Sequence, residues 1–300
     1  MEELSVQFPH PGGQKSFRLG KGYTQADNKI IREWNNDETH YRKFMRNRGY
    51  YLNNAKDTNP IQADLYFWGE WEGCSFFTKM KTDDSRKMPN GMHEPFHSTK
   101  EIGTQNTDPY VFGDAFKYCC CKQNGKMLKL GQGSVILFGS TFPSLKKFYV
   151  DTVFVVNDFE TSAEVKANSG ANYSQIYREE TLERTDIYLK SSKNGKSNCM
   201  VKTDKDMPNN NKIYRSQTWW DNKEFFSFVP CKINGEDNGF ERLYIKLDDP
   251  LFHLSKYPSG KSYLKNCELS PRELWQEVVR RAIEQGFQLG IRFDEPSVIK

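Results

Sequence analysis

Leu128-Lys129-Leu130-Gly131-Gln132-Gly133-Ser134-Val135-Ile136-Leu137-Phe138-Gly139-Ser140 holds the first half of the pattern that decides the fold. After a connection through Pro143, Phe148-Tyr149-Val150 and then Thr152-Val153-Phe154-Val155-Val156 supply the second half. Short β-branched and aromatic runs bounded by Gly, Ser and Pro are strand signals, and their separation suits an antiparallel pair. Neither run alternates with polar residues, so both are expected to be central, neighbouring strands with no solvated face. Gly131-Gln132-Gly133 is too short to cradle phosphates and reads as the turn entering the first strand.

Residues 63–71 read as another strand, with Leu65, Phe67, Gly69 and Trp71 on one side and Tyr66, Trp68 and Glu70 on the other. Residues 80–105, broken by Met88-Pro89-Asn90-Gly91, read as a long loop. Residues 37–47 read as a short helix capped by Asp37 and stopped by Gly49. Tyr41, Phe44 and Met45 would be its apolar face, and Arg42, Lys43 and Arg46 a solvent-facing basic stripe. Residues 160–215 are polar and rich in Asn, Lys and Ser, and read as an insertion over the core. Strand character returns at 225–229 and 243–247. The clearest helix follows, with Ser270 as N-cap, Pro271 in first position, Glu273 completing a capping box and Gly286 as the stop. A last strand is expected at 287–293. The expected fold is α+β: a mixed or antiparallel sheet curled into a barrel with flanking helices. Residues 1–60 would be a polar N-terminal extension with one short helix, and 61–300 the barrel-like domain carrying the insertion at about 160–215.

Composition narrows the class. The 300 residues include 21 Phe, 15 Tyr and 6 Trp, so aromatics make up 14% against 36% for all hydrophobics. That aromatic content argues against a disordered chain. Mean hydropathy is −0.81, and no apolar run reaches the ~18–20 residues that span a bilayer, so no membrane partner is expected. A net charge of +4 with pI near 8.5 permits contact with nucleic acid without the strong basicity of a dedicated duplex binder. Seven cysteines, with Cys119, Cys120 and Cys121 consecutive, make a poor disulfide framework, and Met1-Glu2-Glu3-Leu4 does not begin a signal peptide. Reduced thiols and a cytoplasmic location are the expectation.

His93-Glu94-Pro95-Phe96-His97 has the letters of the zinc-protease motif, but Pro95 opposes the continuous helix that motif needs, and no metal or other cofactor is expected. Three successive thiols cannot converge on one ion when neighbours on a strand point to opposite faces. The aromatic clusters are more informative. Phe67-Trp68-Gly69-Glu70-Trp71 and Trp219-Trp220 hold four of the six tryptophans beside polar residues. Flat rings next to carboxylates suit a pocket that stacks a base and reads its edge, while a large aromatic core competes for the same residues. On this reading Trp68 and Trp71 stack the base, Trp219 and Trp220 are further candidates to contact it, Glu70 or Asp108 reads its edge, and Arg42, Lys43 and Arg46 contact phosphate. The alternative is a metal-dependent nuclease or nucleotide hydrolase in which Glu70, Asp108, Asp114 or His97 supplies acid–base chemistry.

Residues 129–156 resemble the PUA-like superfamily, which includes the EVE, ASCH and YTH domains. Leu130-Gly131-Gln132-Gly133-Ser134-Val135-Ile136-Leu137-Phe138 follows its entry into a barrel strand, with Ser134 where Asp is usual, and a Val-rich strand comes next. Asn106-Thr107-Asp108-Pro109-Tyr110-Val111-Phe112-Gly113-Asp114 is similar to bacterial domains associated with nucleotide modification. The resemblance implies a compact β-barrel with flanking helices and a pocket for a flipped or modified base or a nucleotide. It implies no catalytic residue.

Overall fold

The computed structural model describes residues 1–10, 12–14, 23–26, 28–32, 41–81, 87–99, 107–119, 121, 123–168, 170–182, 211–235 and 238–299. In chain order the strands are β1 (Ser5–Pro9), β2 (Tyr23–Ala26), β3 (Lys29–Arg32), β4 (Lys43–Leu52), β5 (Ile61–Gly69), β6 (Cys74–Lys79), β7 (Gly91–Ser98) and β8 (Lys117–Tyr118). They continue as β9 (Val135–Phe142), β10 (Lys147–Thr161), β11 (Lys212–Ser216), β12 (Val229–Lys232), β13 (Tyr244–Lys246), β14 (Ser262–Tyr263), β15 (Gln288–Phe293) and β16 (Ser297–Ile299). The helices are α1 (Ser162–Ala167), α2 (Gln175–Tyr177) and α3 (Pro271–Glu284).

Two sheets result. One runs β14–β1–β9–β10–β11–β8, with β13 also on β10. The other contains a closed ring: β4 pairs β5, β5 pairs β12, β12 pairs β15, and β15 returns to β4, antiparallel throughout. Closure leaves this four-stranded barrel without free edges inside the ring. From its rim β4 also pairs β7 in parallel, and β6, β3 and β2 extend outward from there.

The uniformly apolar runs behave as expected. β9 and β10 are antiparallel neighbours, and Val135–Phe138 and Thr152–Val156 are buried throughout. β10 is continuous, and its register with β9 slips between Val150 and Thr152, which makes Asp151 a bulge residue. α3 forms with the full capping box on Ser270 and Glu273.

Three expectations are overturned. Residues 43–47 are strand, not helix: residues 43–45 of β4 are buried on both faces, so no period-2 pattern marks that half of the strand. Residues 37–40 of that expected helix lie outside the described residues. The expected loop at 80–105 contains β7, whose buried polar side chains and Pro95 give it loop composition. The first sixty residues are not an extension, because β1 lies between β14 and β9 and β4 closes the barrel. The flanks of the expected insertion also join the core: Val165, Ile176, Tyr177, Leu182, Ile213 and Tyr214 are buried in one hydrophobic cluster. Residues 183–210 lie outside the described residues.

Candidate functional site

Adjacent residues on a strand face opposite ways, so β4 and the two residues before it sort their charges onto two sides. Arg42, Phe44, Arg46, Arg48 and Tyr50 share the outer face, and Lys43 and Met45 point the other way.

At the buried end of the outer face, Arg42 Nη1 donates to Glu70 Oε2 at 2.9 Å, and Arg42 Nε lies 3.0 Å from Asp151 Oδ2. Asp151 reaches this point because the bulge turns it out of the ladder of an otherwise apolar strand. Arg242 Nη1 approaches both Asp151 oxygens at 3.4 Å and donates to Ser140 Oγ at 3.1 Å. The Arg242 guanidinium lies 4.9 Å from the ring centres of Trp68 and Tyr149 and 5.6 Å from that of Phe142. Arg42 and Arg242 are each only 1% exposed. Burial holds the Arg242 pKa below its ordinary value, with Asp151 opposing and Arg42 adding to the shift.

On the other side, Lys43 Nζ donates to Glu72 Oε1 at 2.8 Å, and Arg32 Nη2 donates to Glu72 Oε2 at 3.2 Å. Burial pushes the Lys43 ammonium down to about 8, the Arg32 charge adds to this, and Glu72 opposes it. His93 Nδ1 lies 2.9 Å from Ser75 Oγ. Burial, with Lys43 and Arg32 nearby, holds the His93 imidazole well below its ordinary pKa and therefore neutral.

The residues singled out from the sequence separate into a buried set and an open set. Trp68 and Trp71 belong to two different hydrophobic clusters and cannot sandwich one base. Trp68 Nε1 donates to Phe240 O at 3.0 Å, and Trp71 Nε1 donates to Cys74 O at 2.6 Å. Glu70 accepts from Arg42 and from the Asp108 amide. Asp108 accepts from the Cys119 and Cys121 amides at 3.0 and 2.7 Å, so it organises the chain after Tyr110. Arg42 and Lys43 are buried in ion pairs and do not form a solvent-facing stripe.

The open set lies farther along the outer face of β4. Arg46 pairs with the half-exposed Glu94 at 2.9 Å, and Arg48 is exposed. Tyr50 sits opposite Arg292 of β15. Trp220 is 46% exposed, packs edge-on against Tyr50 with centroids 6.1 Å apart, and stands perpendicular to the buried Trp219 at 5.7 Å. The Arg292 guanidinium lies 5.8 Å from the Tyr50 ring and 6.0 Å from the Trp220 ring, and Lys223 Nζ lies 4.9 Å from Trp219. A tight turn holds Trp220 outward, with Thr218 Oγ1 donating to Asp221 at 2.6 Å and the Gln217 amide donating to Val155 O at 2.7 Å. Arg48, Tyr50 and Arg292 escape a reading of the sequence that takes residues 37–47 for a helix, although Arg46, Arg48 and Tyr50 carry the alternation of a strand.

His93 and His97 lie on β7, where four residues span about 13 Å, so they lack the one-turn separation of a zinc-protease helix. His97 is instead held between Glu180 Oε1 and Glu179 Oε2, each 2.6 Å from a ring nitrogen. The hydrogen bond with Glu180 raises its pKa, with burial opposing. Asp114 is exposed and pairs with Arg292. Among the described residues no group of three His, Cys, Asp or Glu side chains is placed to hold a metal ion. Comparison with protein-family models, with curated proteins and with solved structures finds no match to this chain, so the site is read from its own geometry.

Proposed function

We propose that the protein binds single-stranded nucleic acid, or a nucleotide within it, on an open platform on the outer face of its barrel, and not in a closed pocket of the kind the PUA-like resemblance implies. The carrying observation is Trp220, an exposed indole fixed edge-on to Tyr50 with Arg292 against both rings. A base stacked on such a ring contributes about 1–3 kcal/mol and tolerates sequence. The cations beside it suit a phosphate backbone. Arg48 donates to the neutral Gln62 at 3.4 Å, Arg292 pairs with the exposed Asp114, and Arg46 pairs with the solvent-accessible Glu94 and also hydrogen-bonds the buried Tyr66. Exposed ion pairs of that kind are worth only about 0–1 kcal/mol, so phosphate can replace them at little cost. The closed four-stranded barrel supports the barrel part of the expected fold and leaves the PUA-like identity a proposal. Base stacking, expected of Trp68 and Trp71 on sequence grounds, falls instead to this open platform.

Fluorescence anisotropy with labelled DNA, RNA and modified-base oligonucleotides tests the reading. Trp220→Ala is expected to weaken binding by about 5- to 150-fold at fixed salt. Arg48→Ala combined with Arg292→Ala should flatten the salt dependence by about 0.7 in log–log slope for each arginine that neutralises a phosphate. Trp220 is largely outside the core, so its replacement leaves the fold in place. Absence of binding by the wild-type chain at micromolar protein, or full affinity in Trp220→Ala, refutes the reading.

A further inference from the structure

We propose that the buried Arg42–Arg242 pair is a receptor for a phosphate group, separate from the outer-face platform. A guanidinium presents Nε–H and one Nη–H side by side as a fork that fits two oxygens of an oxyanion. The protein uses that fork conventionally at Arg215, whose Nε and Nη2 grip the two Asp158 oxygens at 2.6 and 2.9 Å. In Arg242 the same two nitrogens are buried and have no hydrogen-bond partner, and neither does Nη2 of Arg42.

Leaving charged donors buried and unsatisfied is costly, and the two carboxylates present, Asp151 shared by both arginines and Glu70 held by Arg42 alone, leave these three nitrogens without an acceptor. The aromatic rings around Arg242 offset its charge without supplying an acceptor for the fork. Three unpartnered nitrogens on two guanidiniums call for several oxygens on one ligand. Phosphate offers these, whereas a carboxylate is exhausted by one fork. Ser140 Oγ, which accepts from Arg242, also donates to Gly12 O at 3.1 Å. Gly12 O is therefore one hydrogen bond away from the serine that holds Arg242.

The test uses the full chain with inorganic phosphate, against chloride at equal ionic strength. Thermal melts are expected to show saturable stabilisation, and the ³¹P resonance of phosphate should broaden on adding protein. Arg242→Lys keeps the charge and loses the fork, and should weaken the apparent phosphate affinity about tenfold or more. Arg42→Lys should weaken it in the same direction, and serves together with the wild-type ³¹P signal if Arg242→Lys does not fold. A nucleoside 5′-monophosphate that displaces phosphate extends the site to esters, and one that does not confines it to the free ion; both outcomes keep the receptor. Stabilisation that grows without saturating, an unbroadened ³¹P line, or a saturable effect untouched by both lysine variants overturns it. Trp220→Ala should leave the phosphate effect unchanged, so failure of the outer-face reading and failure of this one are separable.

Discussion

Lys43 donates to Glu72 in a setting with no solvent access, and its protonation is therefore coupled to folding. With a folded pKa of about 8 against an ordinary 10.5, the unfolded chain holds a proton between those pH values that the folded chain has released. Stability must then rise with pH across that window, by up to about 1.4 kcal/mol per unit for one lysine. Lys117, also pushed down to about 8 by burial, adds to the rise. His97 works with the opposite sign. Its pKa is raised above 6.5 by the hydrogen bond with Glu180, so its contribution is complete below 6.5 and fades as pH climbs through the raised value. Urea titrations are expected to show unfolding free energy sagging above pH 6.5, then recovering from about pH 8 toward 10. Lys43→Met should flatten the recovery and His97→Gln should remove the sag. A recovery that persists with both lysines replaced by methionine would mean that groups other than these two carry it.

At the scale of elements, the barrel depends on the seam between β4 and β15. A Cβ on Gly49 would stand 2.3 Å from Arg292 O and 3.2 Å from Phe293 Cα. Backbone cannot yield there without parting the strands, so Gly49→Ala should cost about 1–3 kcal/mol, measured as a lower urea midpoint with unchanged slope. No such loss would mean that the seam is looser than the register implies. The same elements show what the sequence makes legible. β9, β10, β15 and α3 are readable because unbroken apolar runs and a complete capping box each have one local solution. β10 reads as two pieces parted at Asp151, the one acidic residue in the run, which is where the bulge carries a carboxylate to Arg42 and Arg242. β4 and β7 are hidden because the buried Lys43, His93 and His97, and Arg42 just before β4, have polar letters and meet partners elsewhere in the chain. On the outer face, Arg46 and Trp220 stand out in the sequence as a cation in a basic stripe and a paired indole. Arg242 does not, since nothing near it in sequence announces that it will meet Asp151.

At the scale of the whole molecule, two hydrophobic clusters hold the fold, and each runs through both sheets. Val6 and Phe8 of β1 share one cluster with Met45, Phe67, Ile136 and Phe138. Phe44, Leu52 and Trp68 share the other with Val135, Leu137 and Leu274 of α3. Neither sheet can lose its partner without exposing a full face of large side chains, so unfolding should be one cooperative event. Tryptophan fluorescence and far-UV circular dichroism should then report coincident transitions. The sharper test removes residues 1–60. This deletes β1 from between β14 and β9 and β4 from the ring, which leaves β5 and β15 as open barrel edges. Unpaired edges and uncovered aromatic faces favour association over folding. The fragment 61–300 is therefore expected to bind a hydrophobic dye and melt without a cooperative transition. If it instead melts sharply with native-like circular dichroism, the first sixty residues are an appendage after all, and neither cluster depends on the strands they contribute.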